Sequence, residues 1–215
     1  MKLRETITST ILAIETAIGG GSISILQNGI EIGSIDSGVS RAEEVLVGIR
    51  TILADCELTV SEIDMIAAPL GPGSFTGIRI CLATGLGLAR SLSAKLVSVN
   101  ALDAMSLLAP NKRGIVVLPL GRGNYALQEF GPMADPGSRP SVVNEGGLIR
   151  ILDNRAGLRF IFHKDLGVVA AKRTRTERFS VSTESLATLI GRWAYEGRGT
   201  AHGQPLYLRN EKVGV

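Results

Sequence analysis

The group of residues with the most chemical potential in this chain is Gly71-Pro72-Gly73-Ser74-Phe75-Thr76-Gly77-Ile78-Arg79. Glycines permit tight or left-handed backbone, and Pro72 fixes one φ angle. An apolar run at 63–68 precedes this loop and an apolar helical pattern follows it, so a strand enters and a helix leaves. Amides exposed at such a helix N-terminus can hold an anion. The loop is not of the Walker A type, because the Gly-Lys-Ser/Thr ending is replaced by Ile78-Arg79. Two uses stay open on the residues alone: an anion cradle, or a rigid strand-to-helix connection without a ligand. The second is preferred.

Other candidate groups are weaker. Ser74 lies in Gly-Ser-Phe, without the G-x-S-x-G elbow of a hydrolase nucleophile, and nothing nominates a histidine and carboxylate to serve it. The only histidines, His163 and His202, form no HxxxH or HExxH spacing. Each reads as a surface or core-edge residue, so no zinc or iron is expected. Cys56 and Cys81 form no CxxC pair and read as small hydrophobes in a reduced, cytoplasmic compartment. The basic run Lys172, Arg173, Arg175 and Arg178 could meet RNA phosphates. No aromatic residue interleaves with it, which favours a solvated loop. Charge is uneven along the chain. Residues 1–110 carry 7 Lys/Arg against 11 Asp/Glu, and residues 111–215 carry 16 against 9.

The elements that must position these residues follow from composition and period. Apolar residues make up 45% of the chain and aromatics only 4%, so an Ile/Leu/Val/Ala core is expected, as α/β layers use. Strands are expected at 11–14, 22–26 and 31–35, with glycine-rich residues 16–21 as the first hairpin loop. A capping box of Ser40 and Glu43 opens a helix over 41–54, with Val45, Leu46, Ile49, Ile52 and Leu53 at helical spacing. A second helix over 78–92 places Ile78, Cys81, Leu82, Gly85, Leu86, Ala89 and Leu92 on one face. A strand at 96–99 leads to a short helix capped by Asn100. The composition shifts near Pro110. Strands at 115–118 and 125–130, a Pro/Gly loop over 131–147, strands at 159–163 and 168–171, and a last helix capped by Ser182 or Thr183 complete a looser second half. PLYLR at 205–209 is an extended tail. Two lobes are expected, 1–109 and 110–215. Residues 1–10 lack the apolar stretch of a leader, and no uncharged apolar run reaches the roughly 18 residues of a membrane span.

GPGSFTGIR after a strand, followed by a small-residue helix ending in LAR, resembles the TsaB (YeaZ) family. ILAIETAIGGGSISILQNG is similar to that family's opening hairpin, SRAEEVLVGIRTIL to its first helix, VNALDAMS to the stretch after its second long helix, and PLYLRNE to its tail. The likeness is close over 11–109.

This resemblance implies a two-lobed fold of the actin-like ATPase, sugar-kinase and Hsp70 type, with the second lobe reduced. It also implies a non-catalytic subunit that binds the catalytic TsaD subunit and is joined by the TsaE ATPase. The complex transfers threonylcarbamoyl to the tRNA adenosine next to the anticodon. The expected docking face is the helix pair 41–54 and 78–92, with Arg41, Val45, Arg50, Ile78, Ala83, Gly85, Gly87 and Arg90 at the interface. Alone, the same face would make a homodimer. No cofactor is implied for this chain, ATP being used by the complex, and tRNA contact would come through the complex. The chain departs from the family pattern at three places. Glu15-Thr16 stands for Asp-Thr, Arg41-Ala42-Glu43 for His-Ser-Glu, and Pro119-Leu120-Gly121-Arg122 for an Asp-Ala-Arg run. The competing reading is a small ATPase or kinase of the same fold, which needs phosphate loops in both lobes and a carboxylate for Mg²⁺. A peptidase reading fails on the missing ligands and triad.

Overall fold

The computed structural model describes residues 9–134, 137–155, 157–163, 179–181, 183–201 and 203–208. Five strands, β1 (Thr10–Glu15), β2 (Ser22–Gln27), β3 (Ile30–Ile35), β4 (Met65–Gly71) and β5 (Lys95–Asn100), form the first sheet in the order β3-β2-β1-β4-β5. β1, β2 and β3 run antiparallel, while β4 and β5 add in parallel to β1. The second sheet repeats this plan. β6 (Gly114–Gly121), β7 (Asn124–Phe130) and β8 (Ser141–Asn144) form the meander, and β9 (Arg159–Phe162) and β10 (Phe179–Val181) add in parallel to β6 in the order β10-β9-β6-β7-β8. Its added strands are short, four and three residues long.

The period-two alternation of β1 explains how the layers stack. Leu12 and Ile14 join one apolar cluster with α1 (Ala42–Asp55) and α2 (Phe75–Leu92), while Ile11 and Ala13 join another on the opposite face. That second cluster holds α3 (Ala101–Met105), α5 (Leu186–Tyr195) and the inner face of the second sheet through Val116, Leu118, Ala126 and Ile161. α4 (Glu145–Asn154) covers the outer face of the second sheet with Leu148 and Leu152. Strands buried on both faces read as unbroken apolar runs, as Ile11–Ile14 does. α5 lies late in the chain yet packs on β1 and β2 of the first sheet.

Several expectations shift. The first helix is capped one residue later than expected: the Arg41 amide donates to Glu44 Oε2 at 2.9 Å, in place of the Ser40/Glu43 box. The last helix is capped by Ser185, whose Oγ accepts from the Thr188 amide at 3.0 Å, rather than by Ser182 or Thr183. Within 131–147, expected to be loop, β8 and the start of α4 form, because Asn144 Oδ1 caps the Gly147 amide at 2.8 Å. The expected strand at 168–171, the basic run at 172–178 and His202 lie outside the described residues. Among the described residues no helix is long and apolar enough to cross a membrane.

Candidate functional site

The 71–77 loop is a junction held from two sides. Ser74 caps α2, its Oγ accepting from the Gly77 amide at 3.3 Å, while its own amide donates to Ala17 O at 2.9 Å. The Thr16 hydroxyl donates to Gly77 O at 2.6 Å. The first hairpin loop therefore lies directly on the start of α2. The glycines make this possible. A Cβ on Gly77 would stand 2.6 Å from Ala17 Cα and overlap Thr16 O, and one on Gly73 would stand 2.6 Å from Ala17 Cβ. On the other side the C-terminal tail seats against the loop. The Leu206 amide donates to Leu70 O at 2.6 Å, and Gly71, at φ +110°, leaves room for Leu206 O, which a Cβ would meet at 2.7 Å. Phe75 and Arg79 complete the motif on the outside. The Arg79 guanidinium lies 3.7 Å from the Phe75 ring centroid, and the Tyr207 ring is 4.9 Å from the same ring.

The hairpin carboxylate is engaged locally. Glu15 is buried, and its Oε1 accepts from the Ala17 amide and, at 2.9 Å, from the Ile18 amide. The extra methylene relative to Asp lets the side chain fold back over its own turn. A hydroxyl-lined cleft of about 380 Å³ lies beside it, bordered by Thr16, Ser40, Ser74 and Thr76. Among the described residues the fold assigns Ser74 no base: His163 directly follows β9 in the second sheet and is buried there. Cys81 donates to Ile14 O at 2.9 Å, and burial, then the Glu15 charge, push its thiol well up, so it is no nucleophile at neutral pH. Among the described residues no group of three His, Cys, Asp or Glu could hold a metal ion. Pro119, Leu120, Gly121 and Arg122 close the β6–β7 hairpin, with Gly121, Arg122 and Gly123 all at positive φ.

The helix pair needs correction. Val45 and Ile78 are fully buried and Gly85 faces its own sheet, 3.4 Å from Leu96 and 3.5 Å from Ile66 by an added Cβ, so these three serve this chain's core and cannot meet a partner. The helical period places Arg41, Arg50, Ala83, Gly87 and Arg90 outward, all exposed, and Gly87 has open space around it. Leu86, expected in the core, is exposed at 43%. With Leu46 and Val47 on α1, exposed at 52% and 62%, it forms the apolar part of the outward faces. The signal for these residues was in the sequence: α1 carries more apolar residues than its core stripe of Val45, Ile49, Ile52 and Leu53 needs.

Between the sheets a polar chain links the lobes. The Asn100 amide group donates to Gln128 Oε1 at 3.2 Å, and Gln128 Nε2 donates to Asp103 Oδ1 at 2.7 Å. Burial raises the Asp103 carboxyl above its ordinary range, against the hydrogen bonds from Gln128 and Asn100 and the Arg198 charge. A carboxyl raised in the fold disfavours folding while ionised, and that deficit fades as the pH falls from the folded value toward the unfolded one near about 3.9. Asp103→Asn should therefore be more stable than the wild type at pH 7, with the advantage shrinking toward pH 4. Urea unfolding at the two pH values checks this.

The family model described as "TsaD: tRNA N6-adenosine threonylcarbamoyltransferase" matches residues 39–122. The tRNA threonylcarbamoyladenosine biosynthesis protein TsaB of Buchnera aphidicola is 31% identical over 102 residues, covering 46% of each chain. The Bacillus subtilis TsaB is 30% identical over 107 residues, 48% of this chain and 45% of that one. This chain thus spans about half the length of these relatives. Over a longer alignment, the Escherichia coli TsaB is 24% identical across 93% of this chain and 94% of its own. In structure, YeaZ from Pseudomonas aeruginosa superposes with a TM-score of 0.64 at 20% identity, covering 93% of this chain and all of that one. Component A of the Acidaminococcus fermentans (R)-2-hydroxyglutaryl-CoA dehydratase superposes with a TM-score of 0.57 at 10% identity, covering 88% of this chain and 99% of that one. The repeated five-stranded sheet plan, with the added strands short in the second copy, is the two-lobed actin-like fold. With the motif loop, hairpin and tail converging on one junction in that fold, this chain is similar to the TsaB proteins over its first half and shares the fold of YeaZ over nearly its whole length.

Proposed function

We propose that this chain is a non-catalytic scaffold and activating subunit of the complex that transfers threonylcarbamoyl to the tRNA adenosine next to the anticodon. The pathway comes from the names of the TsaB relatives. The observation that carries the subunit role is the outward face of the helix pair. Leu46 and Val47 stand exposed on α1, and Leu86 stands exposed on α2 with the small Ala83 and Gly87, whereas the motif loop and Glu15 are bound up in internal hydrogen bonds. Residues 1–109 supply the docking lobe and 110–215 the divergent one. The catalytic TsaD subunit docks on α1 and α2, and the subunit acts by binding the competent arrangement of TsaD more tightly than the alternative. TsaE joins the assembly, and ATP is consumed there rather than on this chain, which needs no cofactor. Without TsaD the same faces pair two copies. The compartment is the cytoplasm.

Co-expression with the same organism's TsaD, followed by size-exclusion chromatography, tests this. Co-elution in one peak is expected. Two separate peaks at micromolar concentration would refute the subunit role.

A further inference from the structure

The cluster of Phe75, Arg79 and Tyr207 is not used by the helix-pair docking just described. Two aromatic rings and a guanidinium are brought together here from the start of α2 and from the tail, far apart in sequence. The main chain fixes the assembly: the Leu206 amide is bound to Leu70 O and Leu206 O fits against Gly71, which sets Tyr207 beside Phe75. Such anchoring leaves the rings open, Phe75 at 50% exposure and Tyr207 at 42%. Arg79 is exposed and stacked on Phe75, and among the described residues no carboxylate pairs with it. A cation held over a ring, with no carboxylate partner among the described residues, beside a second half-exposed ring fits a flat π-system joined to an anion. Unpaired nucleotides have that chemistry, the base stacking on an aromatic face and the phosphate meeting the guanidinium.

We propose that Phe75, Arg79 and Tyr207 form a platform that binds an unpaired nucleotide of the tRNA, base on ring and phosphate on Arg79. This rests on the tRNA-modification reading above and names the RNA contact within it. The mixed aromatic and cationic surface favours RNA over a purely apolar protein knob, which would leave Arg79 without an acceptor.

The test uses the full chain assembled with TsaD and a fluorescent, unmodified tRNA transcript, with a fully paired RNA duplex as control. Tyr207→Ala should weaken tRNA binding at least about five-fold, while Tyr207→Phe retains it. Arg79→Gln should lower the slope of log affinity against log salt by about 0.7, as loss of one phosphate contact requires. Duplex binding should not change in any variant. Unaltered tRNA affinity in Tyr207→Ala would overturn the proposal. So would loss of TsaD co-elution in that variant with tRNA binding intact, which would make the cluster a protein contact. Failure of the wild type to co-elute with TsaD counts against the subunit reading alone. The same variants titrated in the isolated chain then decide the platform.

Discussion

Replacing Gly77 by alanine should destabilise the chain by about 3 kcal/mol, the upper part of the range for forced overpacking. The added methyl has nowhere to go, because Thr16 O and Ala17 Cα are backbone atoms on the far side, at contact distances no real Cβ adopts. Relief requires the first hairpin loop to lift from α2, which breaks the Thr16 hydroxyl bond to Gly77 O and the Ser74 amide bond to Ala17 O. Against a total stability of roughly 5–15 kcal/mol, that is a large share. Gly87→Ala on the same helix is the matched control. Its Cβ meets nothing within 4 Å, so it should gain up to about 1 kcal/mol of helix propensity. Urea unfolding of the two variants beside the wild type checks both signs. Equal stability of Gly77→Ala and the wild type would mean that the motif glycines do not serve close approach.

Gly87→Arg should abolish TsaD binding while leaving the fold intact, with affinity falling about 100-fold or more. Gly87 points to open space in the free chain, so folding does not resist the new side chain. In a complex packed across α1 and α2, the guanidinium would separate the helices and bury an unpaired charge, at a cost of several kcal/mol. Leu46→Asp on α1 should act in the same direction by placing a carboxylate in the apolar part of the face. Gly85→Arg behaves differently. Its side chain is directed into Leu96, Ile66 and Ala68, so the variant should fail to fold. Circular dichroism separates these outcomes, and chromatography with TsaD reads the assembly. A folded Gly87→Arg chain that still binds TsaD normally would place the interface elsewhere.

The first lobe was legible because its signals agree with one another. Unbroken apolar runs marked β1 and β4, Asn100 marked the start of α3, and the glycine spacing of 71–77 marked the β4–α2 connection. The second lobe was harder for definite reasons. α4 opens on Glu145, Gly146 and Gly147, whose composition reads as loop, and only the Asn144 cap and the Leu148/Leu152 spacing betray it. β10 is three residues long, too short for a period to show. On α2, periodicity gave the helix but not its rotation. Small and large apolar residues alternate around it, so Gly85 and Leu86 exchanged their expected sides. The meaning of the motif glycines also needed the fold, because their neighbours, Ala17 and Leu206, are distant in sequence. Glu15 read only as a departure from the family's Asp, and the structure gives it a local role as a clasp on its own turn.

The most direct measurement of the account is threonylcarbamoyladenosine formation on tRNA by the same organism's TsaD and TsaE, with and without this chain, followed by nucleoside analysis. Modification should rise sharply when the chain is added and vanish when TsaD is withheld. Equal modification with and without the chain would contradict an activating subunit, and modification in the absence of TsaD would contradict a non-catalytic one.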